Sequence, residues 1–176
     1  MRVRIVVLVL SQVAGIWEPM LRTDDVTIIR TALTATVVKE PLPQVILVSR
    51  TLPSCGAASD AAAKAGCHGL PLALEFSRAI PIPPLTIPRI IQASAGDVRS
   101  VFEVPPDAVG LELQKRFSGA SAIVQVTAPL FETRNTATLC VVLSCGGTCG
   151  KGWLLRFALQ GGRWMILQNQ QLWVRN

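Results

Sequence analysis

The chain has 176 residues, half of them hydrophobic, with a mean hydropathy of +0.44; that is ample material for one core and argues against disorder. Its net charge of +6 comes from seventeen Lys and Arg against eleven acids. These charges are scattered singly apart from Arg2/Arg4 and Lys115-Arg116, without the clustering of a phosphate-binding surface, which favours a solvated surface over nucleic-acid binding. No apolar run reaches the roughly eighteen residues a membrane helix needs, so an integral membrane protein is not expected.

Residues 1–15 read MRVRIVVLVLSQVAG: two arginines, a short apolar block and a small-residue site at Val13-Ala14-Gly15. This is the layout of a signal peptide, with an N-terminal edge strand over Val3–Leu10 as the competing reading. The expected organisation is a candidate signal peptide at 1–15 and one α+β domain at 16–176, placed in the periplasm or outside the cell. Five cysteines, Cys55, Cys67, Cys140, Cys145 and Cys149, favour the same oxidising compartment as two disulfide pairs and one leftover. The strand pattern buries Cys140, which makes it the expected free thiol.

Thr23-Asp24-Asp25 precedes VTIIRTALTATVVK, where Val26, Ile29, Leu33 and Val37 repeat at helical spacing. A helix is expected here, capped by Thr23 or Asp24 and stopped by Pro41 and Pro43. Val45–Thr51 is an apolar run of strand length. The segment CGAASDAAAKAGCHG suits a short alanine helix capped by Ser59 or Asp60. Prolines at 71, 81, 83, 84 and 88 then predict irregular chain laid over a surface. Residues 94–100 suit a turn or short helix. Val109, Leu113 and Phe117 predict an amphipathic helix capped by Asp107, and Ala122–Thr127 a strand, followed by a connection through Glu132–Asn135.

The last forty residues carry the clearest pattern, a meander of three antiparallel strands. Ala137, Leu139, Val141 and Leu143 share one face of the first strand; Trp153, Leu155, Phe157 and Leu159 share one face of the second. Gln160-Gly161-Gly162-Arg163 supplies the second hairpin, because glycine accepts the positive φ of tight turns. The third strand starts at Trp164 and ends with Leu172-Trp173-Val174.

Several of these segments together resemble a set of uncharacterised, mostly exported bacterial proteins. The matching residues are Arg116–Ala120, Val126–Phe131, Ala137–Val142, the C-G-x-x-C-G-x-G-like Cys145–Gly152, Gly162-Arg163-Trp164 and Leu172-Trp173-Val174. The chain departs from that pattern in lacking tyrosine-proline before Ser118-Gly119 and the serine and glycine before Phe131. The resemblance implies a helix packed on a curved antiparallel sheet and carries no activity with it.

Cys145-Gly-Gly-Thr-Cys149 is the sharpest chemical signal. Across a three-residue hairpin loop both cysteines fall on one side of the strands, in phase with Leu143 and Trp153, which suits a disulfide. Free thiols, redox activity and zinc are the competing readings, but redox pairs usually stand as C-x-x-C at a helix start. Cys55 and Cys67 are candidates for a second disulfide. Joined to the 145/149 pair they could form a zinc set, although neither spacing is a zinc knuckle.

His68 is the sole histidine, so any histidine-dependent catalysis would run through it; an exposed loop histidine is the plainer reading. Trp153, Trp164 and Trp173 are candidates for a ligand face, but core or sheet-face aromatics are the favoured reading. No catalytic residue, metal site or cofactor is assigned. The expected architecture is an α+β domain, an N-terminal helix on a curved antiparallel sheet ending in the meander, cystatin-like or nuclear-transport-factor-2-like. The expected function is a non-catalytic exported module binding a small ligand or protein. The alternative is a hydrolase or thiol enzyme using Cys67, His68 or the Cys145/Cys149 pair.

Overall fold

The computed structural model describes residues 20–51, 80–105, 108–145 and 149–175. The candidate signal peptide, the alanine-rich segment, Cys55, Cys67, His68 and the cap Asp107 lie outside them.

Helix α1 spans Thr23–Ala35, and Ile28, Ile29, Ala32 and Leu33 form its buried stripe. The expected caps, Thr23 and Asp24, are not what holds its first turn. Asp25 reaches back instead, its carboxylate accepting the Arg22 backbone N–H at 2.7 Å, which satisfies a donor the helix leaves orphaned. A 3₁₀ turn at Val37–Lys39 follows, before the chain enters β1 (Gln44–Val48).

Strand β1 is where the sheet departs from the antiparallel expectation. It pairs in parallel with both β2 (Ile90–Ala93) and β3 (Ala120–Val126). Val45–Val48 is apolar at every position and buried at every position, the signature of a strand covered on both faces. The covering on one side is a crossover from β2 to β3 that carries α2 (Ala95–Arg99), a 3₁₀ turn at Ser100–Phe102 and α3 (Val109–Arg116). Val98, Val101, Val109 and Leu113 of that crossover pack on Ile46, Val48 and Ile123.

The other half of the sheet is the antiparallel meander: β5 (Thr136–Ser144), β6 (Gly150–Gln160) and β7 (Arg163–Arg175). Gly161 and Gly162 both take positive φ at the β6–β7 turn. Strand order is β2-β1-β3-β5-β6-β7. The short β4 (Leu130–Thr133) lies beside β5 on the same flank as β3. β3 pairs with the far half of β5 and β4 with its beginning, and Pro129 separates the two because it has no N–H for the ladder. Thr127 mends the gap: its backbone N–H donates to the Cys140 carbonyl at 3.1 Å, and its hydroxyl accepts the Cys140 N–H at 3.0 Å.

The expected faces of the meander are the observed ones. Ala137, Leu139, Val141 and Leu143 join Trp153, Leu155 and Phe157 in the main core, under Ile28, Ile29 and Leu33 of α1. The described residues are thus a mixed α+β structure with a single open sheet and helices on both of its faces.

Candidate ligand-binding site

The tip of the β5–β6 hairpin and the turn after the 3₁₀ helix meet at one end of the sheet. At the tip, the Cys145 N–H donates to the Cys149 carbonyl at 3.1 Å, and a disulfide joins the two side chains across a Cα separation of 5.2 Å. The cross-strand partner of Leu143 is Lys151, so these two side chains share the α1 face of the sheet.

On the opposite wall the chain turns through Glu40, Pro41 and Leu42. Arg89 fixes this turn from outside. Its guanidinium donates to the carbonyls of Val38, Glu40 (3.4 Å) and Leu42 (3.1 Å), satisfying acceptors that the end of a helix leaves open. Arg89 does so from a backbone φ of +63°, a conformation that costs a non-glycine residue about 1–2 kcal/mol.

Between these walls lies a pocket of about 150 Å³, lined by Glu40, Pro41, Leu42, Leu143, the Cys145–Cys149 disulfide, Gly150 and Lys151. Its surfaces are mainly apolar. The two ionisable groups on it are paired: Lys151 Nζ stands 2.5 Å from Glu40 Oε2, with side chains 32% and 17% exposed. Glu40 is the more withdrawn of the two, and Lys151 reaches it from the pocket rim, with about a third of its side chain open to solvent. A second cavity, beside Thr127 and Thr138, has a volume of about 10 Å³ and is no larger than a water site.

The described residues singled out from sequence do not gather in one place. Cys145 and Cys149 are at the pocket wall. Trp153 and Trp164 are packed into the core, 5% and 6% exposed, so neither presents a ring on an open sheet face. Trp164 instead meets the Phe131 ring edge-on at 5.6 Å, and the Arg22 guanidinium caps Phe131 at 4.4 Å. Trp173 is half-buried and lies over Gly150 and Gly152 of β6. Cys140 is buried as expected but is disulfide-bonded, which corrects its reading as the leftover thiol. Glu40 and Lys151 carry no sequence signal, because 111 positions separate them and only the fold brings them together. Among the described residues no group of three or more His, Cys, Asp or Glu is placed to hold a metal ion. No described helix is long and apolar enough to cross a membrane.

No protein-family model and no curated protein matches the chain. Among solved structures the chain is similar to a hypothetical protein from Chlamydia trachomatis. The identity is 9% and the TM-score 0.19, over 73% of this chain and 70% of that one. A likeness at that level carries neither fold nor function.

Proposed function

We propose that the chain is a non-catalytic, exported binding module whose small ligand occupies the pocket between Glu40–Leu42 and the β5–β6 hairpin tip. The observation that carries this reading is the lining itself: apolar walls and one shielded ion pair, with the nearby sulfurs tied in a disulfide. Such a surface offers contact area and charge recognition, the usual make-up of a small-molecule site. A disulfide-bonded Cys145 is no nucleophile, so a thiol mechanism there would first need reduction.

The Cys145–Cys149 disulfide and the bonded Cys140 support placement in the periplasm or outside the cell, where such bonds persist. In the same reading the chain belongs with the exported bacterial proteins that its C-terminal pattern resembles. Helix α1 on the antiparallel half supports a cystatin-like or nuclear-transport-factor-2-like arrangement for that half; the parallel β2-β1-β3 half is a departure from it.

The test is a fragment screen on isotopically labelled protein, followed through the backbone resonances of Leu42, Leu143 and Lys151. Binding is expected to move these signals together, and His68→Ala is expected to leave ligand affinity unchanged. A screen that leaves them still, or a turnover abolished by His68→Ala in folded protein, overturns the reading.

A further inference from the structure

We infer that the pocket takes a small zwitterion with an apolar side chain, an α-amino acid of leucine size, its carboxylate on Lys151 and its ammonium on Glu40; the inference rests on the binding reading above. Charge balance selects this class. The pocket holds one cation and one anion, each the other's partner. A ligand with one charge would break that pair to form a single new one, so its charge gains little. A neutral apolar ligand could use the walls but not the pair. A net-neutral zwitterion inserted between Lys151 and Glu40 replaces one ion pair by two and leaves no charge unmatched.

The geometry allows that insertion. Glu40 sits on a turn whose backbone Arg89 braces, so its position is set by the fold. Lys151 reaches the pair through a flexible four-carbon stem and is the more exposed partner, so it is the one that can swing aside. The remaining walls, Pro41, Leu42, Leu143 and the disulfide, match an aliphatic group. A cavity of this volume accommodates a molecule about as large as benzene, which leaves room for an isobutyl group with the charged head at the pair. A peptide chain of any length separates its two terminal charges, so only a free amino acid presents both on one carbon.

The experiment titrates the full-length protein with L-leucine, L-leucine methyl ester, N-acetyl-L-leucine and 4-methylpentanoate, by calorimetry and by the resonances of Leu42, Leu143 and Lys151. L-Leucine is expected to bind, and each analogue lacking one charge to bind at least about tenfold more weakly, as loss of a charged hydrogen bond implies. Lys151→Met is expected to weaken leucine by a similar factor and to remove its advantage over the methyl ester. Glu40→Gln should do the same relative to the N-acetyl compound. The exposed Leu111→Ala on α3 should change nothing. Because the ligand series is read on the unaltered protein, the outcome stands even where a variant folds poorly. Analogues that bind as well as leucine, or apolar fragments that move the pocket while leucine does not, overturn the inference and leave the binding reading intact. Pocket resonances that no compound moves overturn both.

Discussion

The ring of Trp173 occupies the space that a side chain at Gly152 would need: a β-carbon built on Gly152 would lie 2.2 Å from the indole nitrogen. The two residues are cross-strand partners in β6 and β7, next to an irregularity in the register between Gly152 and Trp153. The glycine is there because an aromatic ring lies flat on the strand, and the ring shields backbone that a glycine leaves bare.

Gly152→Ala is therefore expected to push the indole off β6 and to destabilise the protein by about 1–3 kcal/mol in urea unfolding. In a Trp173→Ala background the same change should cost little or become stabilising, since alanine restricts the unfolded chain more than glycine does. An equal cost in both backgrounds would show that the ring is not the obstacle.

The cysteines make a covalent prediction. Mapping of unreduced peptides is expected to find Cys145 joined to Cys149 and Cys140 joined to Cys55 or Cys67, with one free thiol in the unfolded, unreduced chain. Five titratable thiols in protein from an oxidising compartment would refute it. Cys145→Ser/Cys149→Ser should lower stability by only about 2 kcal/mol, because the loop that the bond closes is short. Its larger effect should be on leucine binding, as the disulfide is part of the pocket wall.

Arg89 separates backbone from side-chain effects at one position. Arg89→Ala and Arg89→Gly both remove the guanidinium from the carbonyls of Val38, Glu40 and Leu42. Only the alanine keeps a β-carbon at positive φ. The glycine variant is expected to be the more stable of the two by about 1 kcal/mol. Both should speed hydrogen exchange at the Leu42 N–H, which closes the turn onto the Glu40 carbonyl at 2.8 Å. Exchange unchanged in both variants would mean that the turn stands without its brace.

What was legible in the sequence was local. The meander could be read because alternation over Ala137–Leu143 and Trp153–Leu159 names the faces and the glycine pair names the turn. α1 could be read from its apolar spacing. β2 and β4 could not: each has four residues, too few to show a period, and each is defined by a partner elsewhere in the chain. The parallel pairing of β1 was also hidden, although its unbroken Val-Ile-Leu-Val is what a doubly covered strand looks like. The tryptophans read as core or sheet-face aromatics, but a strand residue has two faces, and nothing in Trp153 or Trp164 says that α1 lies over the one they share. For Cys140, phase gave the burial and an odd count suggested the wrong pairing. The pocket was invisible for a plainer reason: its charges meet only across the finished fold.

That arrangement also sets an order in time. Strands β5, β6 and β7 pair with their neighbours in sequence, whereas β1 must find Ile90–Ala93 and Ala120–Val124 far along the chain. Contacts between near positions close quickly and distant ones slowly, so the meander is expected to pair before the parallel half. Yet the meander follows the other described elements along the chain, and α1, which precedes them, packs against β5 and β7. Until the meander has formed, α1 lacks the β5 and β7 surface that its buried stripe packs on.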